Sequence, residues 1–217
     1  VQCLFSLLWC RRYSRTKAQR FFRRIAVTAL CLSLTDGSTI ALAGPARVFT
    51  PHLDRIRQNL PPNFVMRLPS QVLLSEPADE EFIQKLSVRI ATSDSPPRLT
   101  VGLYSCEDDS QFCRIGTFSA VLAKTPQAQQ EYQQHVAAAA PIQLTKTIRG
   151  YLLMGTAKYP ASAFSSIMWQ QDDMLYTVSF ANPERQNMLY MAVYMANEVP
   201  IILNNAALER APMRPSP

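Results

Sequence analysis

The sequence predicts an α+β domain: a mostly antiparallel sheet of about six or seven strands, with helices packed mainly on one face. Three observations predict it. Short runs rich in β-branched and aromatic residues recur through residues 44–217. Their connections are too short for the crossovers that parallel strands require. Two longer stretches open with a polar residue and a proline, Thr125-Pro126 and Asn182-Pro183, as helices do.

The elements follow in chain order. Thr50 to Leu60 reads as a short amphipathic helix, with Thr50 as N-cap, Pro51 in the first turn and Leu53, Ile56 and Leu60 on one side; Pro61-Pro62 stops it. Phe64–Leu68 and Gln71–Leu74 are short extended pieces divided by Pro69. Leu86–Ala91 alternates as a strand and ends near a turn at Pro96-Pro97. Leu99–Cys106 and Cys113–Val121 form the arms of a hairpin, and Thr125–Ala139 a helix rich in Gln and Ala. Ile142–Ile148 and Tyr151–Lys158 predict a hairpin about Arg149-Gly150, and Ser165–Gln170 and Leu175–Phe180 another about Asp172-Asp173. Asn182-Pro183 caps a last helix that reaches Glu198 and stops before Pro200. Hairpin, helix and a following Pro-Ile pair occur twice, over 99–144 and 165–203, which fits either an internal strand-strand-helix duplication or the shared grammar of helix capping.

Three segments divide the chain: residues 1–43, a single α+β domain over 44–205, and a proline-containing tail over 206–217 expected to be disordered. Residues 1–43 carry seven basic residues, Arg11 to Arg24, against Asp36 alone, followed by the apolar run Ile25–Leu34. A polar break then leads to Ile40-Ala-Leu-Ala43, and Ala41-x-Ala43 before Gly44 suits a signal peptidase. The run is shorter than the ~20 residues a spanning helix needs. Extending it to Ala43 would bury Asp36 at about 2.5–3.5 kcal/mol. Cleavage after Ala43 is the preferred reading, and an uncleaved N-terminal anchor the alternative.

Charge and cysteine usage agree with export. Of 22 basic and 16 acidic residues, fifteen of each fall in 44–217, so that part is neutral and lacks the clustered Lys and Arg that nucleic acid requires. Cys106 and Cys113 flank Glu107–Phe112 between two strand-like runs, and in an oxidising compartment they would clip a hairpin. Closing so small a loop contributes about 2–3 kcal/mol in the chain-entropy picture.

Catalytic chemistry leaves little trace. His52 and His135 have no second ligand at metal spacing, and with six glycines the chain offers no phosphate loop, dinucleotide fingerprint or nucleophile elbow. A Cys106–His135 nucleophile pair competes with the disulfide and loses to it. The acidic groups Asp79-Glu80-Glu81, Glu107-Asp108-Asp109 and Asp172-Asp173 sit at turns or helix starts, where carboxylates are favoured for local reasons. No cofactor or metal is expected. The distinctive cluster is apolar: six of eight methionines lie between Met154 and Met195, beside Trp169, Tyr176, Tyr190 and Tyr194. Trp169, Tyr176, Tyr190, Met191 and Tyr194 form a candidate binding face, because Met and aromatic side chains make adaptable apolar surfaces. The competing reading is a helix packed on the sheet with Trp169 beneath it.

Leu60-Pro-Pro-Asn-Phe-Val-Met-Arg-Leu-Pro-Ser70 and Leu99–Ser119, with its cysteine-flanked loop, resemble exported cyanobacterial proteins of unknown function. Tyr151–Asn197 is similar in topology to the end of lumenal photosystem II accessory proteins, and to a domain of unknown function common in exported bacterial proteins. The resemblance implies a periplasmic or thylakoid-lumen address and no activity. The expectation is an exported, non-enzymatic protein that acts by binding or assembly, with a membrane-bound complex as partner. One alternative is a carrier of a small apolar ligand between the sheet and the C-terminal helix; a second is a hydrolase with an unrecognised site.

Overall fold

The computed structural model describes residues 44–107, 111–155 and 164–203. Ala41 and Ala43, the rest of the expected export segment, and the tail from 206 lie outside the described residues. The architecture is the α+β arrangement expected, with a seven-stranded antiparallel sheet, a two-stranded sheet and four α-helices among the described residues.

A 3₁₀ segment, Arg47–His52, runs directly into helix α1, Leu53–Gln58. The helical run therefore begins three residues before the expected N-cap Thr50, and Ala46 takes the cap position. Pro51 lies inside this 3₁₀ segment, where its fixed φ suits helical backbone. Strand β1, Val65–Met66, is shorter than the extended pieces expected there. Asp79 caps helix α2, Glu80–Gln84, its side chain accepting from the Phe82 N–H at 2.8 Å.

The large sheet contains β2 (Ser87–Asp94), β3 (Pro97–Tyr104), β4 (Arg114–Leu122), β5 (Ala140–Gln143), β6 (Arg149–Leu153), β7 (Phe164–Gln171) and β8 (Met174–Ala181). Their spatial order is β2-β3-β4-β8-β7-β6-β5, with every pair antiparallel. Helix α3, Pro126–Ala138, joins β4 to β5, and helix α4, Arg185–Asn197, follows β8 through a 3₁₀ turn at Asn182–Glu184. Strand β9, Ile201–Ile202, then pairs antiparallel with β1 as the small sheet.

Turn chemistry explains two of the hairpins. Asp172 and Asp173 have φ of 52° and 57°, the left-handed conformation at both central positions that a two-residue type I′ turn demands. The β5–β6 turn differs from expectation: Arg149 and Gly150 lie inside β6, and the chain reverses over 144–148. Thr145 makes that turn, its Oγ1 accepting from the N–H groups of Thr147 and Ile148 at 3.2 and 3.0 Å. Gly150 serves packing instead, since a Cβ there would sit 3.0 Å from Leu144 Cδ1. Cys106 and Cys113 are disulfide-bonded with Cα atoms 5.6 Å apart, tying the end of β3 to the start of β4.

Strand alternation gives the sheet two unlike faces. On one, Leu99, Val101, Phe118, Trp169, Val178 and Phe180 are completely buried. Phe49, Ile56, Met66 and Leu68 from the N-terminal segment, and Met188, Met191 and Met195 from α4, belong to the same core. Phe118 sits edge-to-face with both Phe49 and Phe180, ring centroids 5.7 and 5.5 Å away. On the other, Val121, Ala123, Ala128 and Leu175 form a small cluster with Tyr132 of α3 packed against it. The two hairpin-helix units thus place α3 and α4 on opposite faces. The first ends in an edge strand of the large sheet, and the second in the separate β1–β9 pair.

Candidate functional site

The expected binding face divides in two. Trp169, Tyr176 and Met191 have no exposed surface. Tyr190 is half exposed and Tyr194 half buried. The physical reason lies in helix periodicity: Met188, Met191, Ala192, Met195 and Ala196 recur at spacings of three and four and turn one stripe of α4 onto β7 and β8. Trp169 stacks on Tyr176 across β7–β8, with centroids 5.4 Å apart. Side chains so completely covered by one another present no surface to a ligand between sheet and helix. This part of the predicted site is core.

A buried arginine locks the end of that core. Arg67 directs Nε and Nη2 at Asp172 Oδ2, at 2.9 and 2.6 Å, and Nη1 at the Glu198 carbonyl. The Tyr176 hydroxyl donates to the Val65 carbonyl at 2.8 Å, and burial pushes its pKa above the usual phenol value. Three distant pieces meet here: the end of β1, the β7–β8 turn and the C-terminus of α4. With each of its three nitrogens bonded to protein, the guanidinium is a structural clamp.

The histidines and cysteines lie apart from any shared site. His135 Nε2 is 2.8 Å from the Tyr151 carbonyl, and burial lowers its pKa while that hydrogen bond opposes the shift. Burial, then the Arg55 charge, lowers the pKa of His52. The Cys106 sulfur is bonded to Cys113, which leaves no thiol for a Cys–His pair. Among the described residues no three His, Cys, Asp or Glu side chains converge as metal ligands.

The open site is elsewhere. A cleft of about 420 Å³ lies where residues 74–78 and Phe82 of α2 come against the start of β4 and the end of β8. Leu74, Pro77, Phe82, Ile115, Ala181 and Pro183 supply its apolar lining. Phe82 is 41% exposed, unusual for a phenylalanine in a folded domain. Glu184 pins the rim: its Oε2 accepts from Ser75 N, Ser75 Oγ and Asn187 Nδ2 at 2.8, 3.1 and 2.9 Å. Arg114, also in the lining, lies over the Phe164 ring at 4.5 Å from its centroid.

No family model, curated protein or solved structure matches this chain.

Its chemistry is therefore read from the cleft and the surface themselves. The cleft draws on three segments far apart in sequence, and no local pattern joins Phe82, Ile115 and Pro183. One signal was available beforehand: Asp79-Glu80-Glu81 marks a helix start, and that short helix is what holds Phe82 out toward solvent.

Proposed function

We propose that the protein is exported and acts by binding rather than catalysis, with the cleft under residues 74–82 receiving the apolar body of a small ligand. The observation that carries this reading is the cleft's combination of size and lining. About 420 Å³ falls within the ~300–1,000 Å³ of small-molecule sites, and the lining is apolar with a few polar groups at the edge. The rim fits a preformed site, since the triply bonded Glu184 carboxylate fastens Ser75 to the start of α4. The three donors on Oε2 suit a structural rivet. The ordering of basic and apolar residues in 1–43 and the Cys106–Cys113 disulfide support export. The apolar-ligand carrier, first expected beneath α4, thus moves to a different place in the fold. Assembly with a membrane-bound complex stands as the second reading, favoured by the half-exposed Tyr190.

Displacement of a fluorescent apolar probe, 1-anilinonaphthalene-8-sulfonate, tests the cleft. Saturable binding is expected in the native chain, displaced by medium-chain alkyl compounds. Ile115→Trp, which fills the cleft, should abolish it with little change in melting temperature. Absence of saturable binding, or equal binding by the filled variant, would refute the reading. Intact-mass measurement of the protein purified from its host tests export: a chain beginning at Gly44, gaining ~2 Da on reduction, is the expected result.

A further inference from the structure

A second cleft, of about 400 Å³, lies between the chain at 46–48, the chain at 70–73 and helix α2. The Ala46 N–H donates to the Pro69 carbonyl at 2.9 Å and fastens the first two of these together. Val48, Val72 and Ile83 give the cleft a buried aliphatic lining, while Arg47, Gln71, Glu80 and Gln84 are exposed around it. None of these residues lines the apolar cleft beside Phe82.

One wall of the cleft is an unpaired strand in all but name. Residues 71–75 run without a turn or bend, yet they join neither sheet. Among the described residues, the backbone N–H and C=O groups of Gln71, Val72, Leu73 and Leu74 make no hydrogen bond to protein; bonding resumes at Ser75, whose N–H goes to Glu184. Val72 is only 5% exposed, and the peptide groups of so buried a residue are nearly always paired. Charge is uncommitted here as well. Arg47 and Glu80 come from different elements, and among the described residues neither makes a salt bridge. Glu80 Oε1 accepts from Gln84 Nε2 at 2.8 Å, and Oε2 has no protein donor.

We infer that this cleft binds a short aliphatic peptide, laid along 71–74 as an added strand with its carboxylate toward Arg47 and its ammonium toward Glu80. The free N–H and C=O groups match another main chain, and Val48, Val72 and Ile83 match an aliphatic side chain. Opposite charges, unpaired with each other, match the two ends of a zwitterion. At about 3.3 Å per residue, four extended residues accommodate a peptide of about three or four. A hydrocarbon would leave the main-chain groups and both charges without partners. A single amino acid would leave most of the strand uncovered, and the interior of a long polypeptide has no termini for Arg47 and Glu80. The inference does not depend on the apolar-ligand cleft.

Isothermal titration calorimetry on the protein purified from its host tests this with Ala-Ala-Ala, Val-Leu-Val and Leu-Leu-Leu. Saturable binding of Val-Leu-Val is expected. Blocking its two ends by acetylation and amidation, or methylating both peptide nitrogens, should weaken it by about tenfold or more, through lost charged or main-chain hydrogen bonds. Arg47→Gln and Glu80→Gln, both at exposed positions, should each weaken the free peptide by about tenfold and leave the blocked peptide unchanged. Gln84→Trp, which closes the cleft from its exposed rim, should abolish binding, and Ile115→Trp in the other cleft should not affect it. Four outcomes would overturn the inference. None of the three tripeptides binds; the blocked or methylated peptide binds as well as the free one; free leucine binds more tightly than any tripeptide; or Ile115→Trp abolishes binding while Gln84→Trp retains it. The last would move the peptide to the apolar cleft.

Discussion

The two faces of the seven-stranded sheet are made by the same strands and carry different loads. Beneath α4 and the N-terminal segment, most inward residues of β3, β4, β7 and β8 are aromatic or aliphatic and completely buried. Beneath α3, the outward residues of the same strands include Thr100, Thr117, Thr177, Ser166 and Ser179, all half buried, and the apolar contact shrinks to four buried side chains and Tyr132. A buried aliphatic or aromatic side chain is worth about 1.5–3 kcal/mol in transfer free energy, so the first face carries most of the driving force for folding. The second face teaches what a helix can rest on without a wide apolar stripe: an arginine pair, an aromatic contact and one buried histidine. Arg98 of β3 pairs with Glu131 of α3, Tyr132 meets Tyr151 edge-to-face at 5.9 Å, and His135 is bound to the Tyr151 carbonyl.

The comparison can be broken by mutation. Phe118→Ala, at the centre of the Phe49–Phe118–Phe180 cluster, should cost about 3–5 kcal/mol by urea unfolding, through lost burial and a residual cavity. Asp172→Gly should cost less, about 1.5–3 kcal/mol. Glycine accepts the left-handed φ of 52°, so the loss isolates the charge-assisted bonds to Arg67. Tyr132→Ala should cost about 1–2 kcal/mol, from a half-buried ring and one edge-to-face contact. Equal losses for Phe118→Ala and Tyr132→Ala would mean that the two faces bear equal weight.

The same contrast explains how much could be read from sequence. Local signals were sufficient wherever the physics is local. Thr125-Pro126 marks the start of α3, Asp172-Asp173 forms the two-residue turn, and the two cysteines close the β3–β4 hairpin. Non-local pairings left no such mark: β4 lies beside β8, and β1 beside β9, across separations that no window spans. Asn182 shows both at once. Its position predicts a helix start correctly, yet its Oδ1 accepts from Ser165 Oγ at 2.6 Å instead of capping the helix. The methionine-rich helix was ambiguous for a related reason, since Met and Tyr suit a core and a sticky surface alike. Only tertiary placement divides Met191 inside from Tyr190 outside. The cleft was illegible because its apolar lining assembles from three distant segments.

The smallest expected effect is also the most selective. His135 is 7% exposed on the inner side of α3, with Nε2 donating to the Tyr151 carbonyl when the imidazole is neutral. Desolvation holds its pKa below the usual 6.5, only partly offset by that hydrogen bond. An unfolded chain therefore takes up the proton at a higher pH than the folded one. Above pH ~6.5 neither state is charged and His135 contributes no pH dependence; as pH falls below that value, the unfolded state gains the proton first and stability declines. Since His135 belongs to α3, the loss should begin there: amide protection factors, corrected for the intrinsic exchange rate at each pH, should fall in 126–138 between about pH 6.5 and 5 while those in 174–181 hold. His135→Gln, which keeps a donor for the carbonyl and cannot titrate, should flatten the slope. His52→Gln serves as the comparison, because His52 also titrates low but lies at the junction of the 3₁₀ segment and α1, away from α3. A slope unchanged in His135→Gln and flattened in His52→Gln would shift the acid-sensitive joint to the N-terminal segment. The large face would then loosen first, and the division of labour between the two faces would have to be reversed.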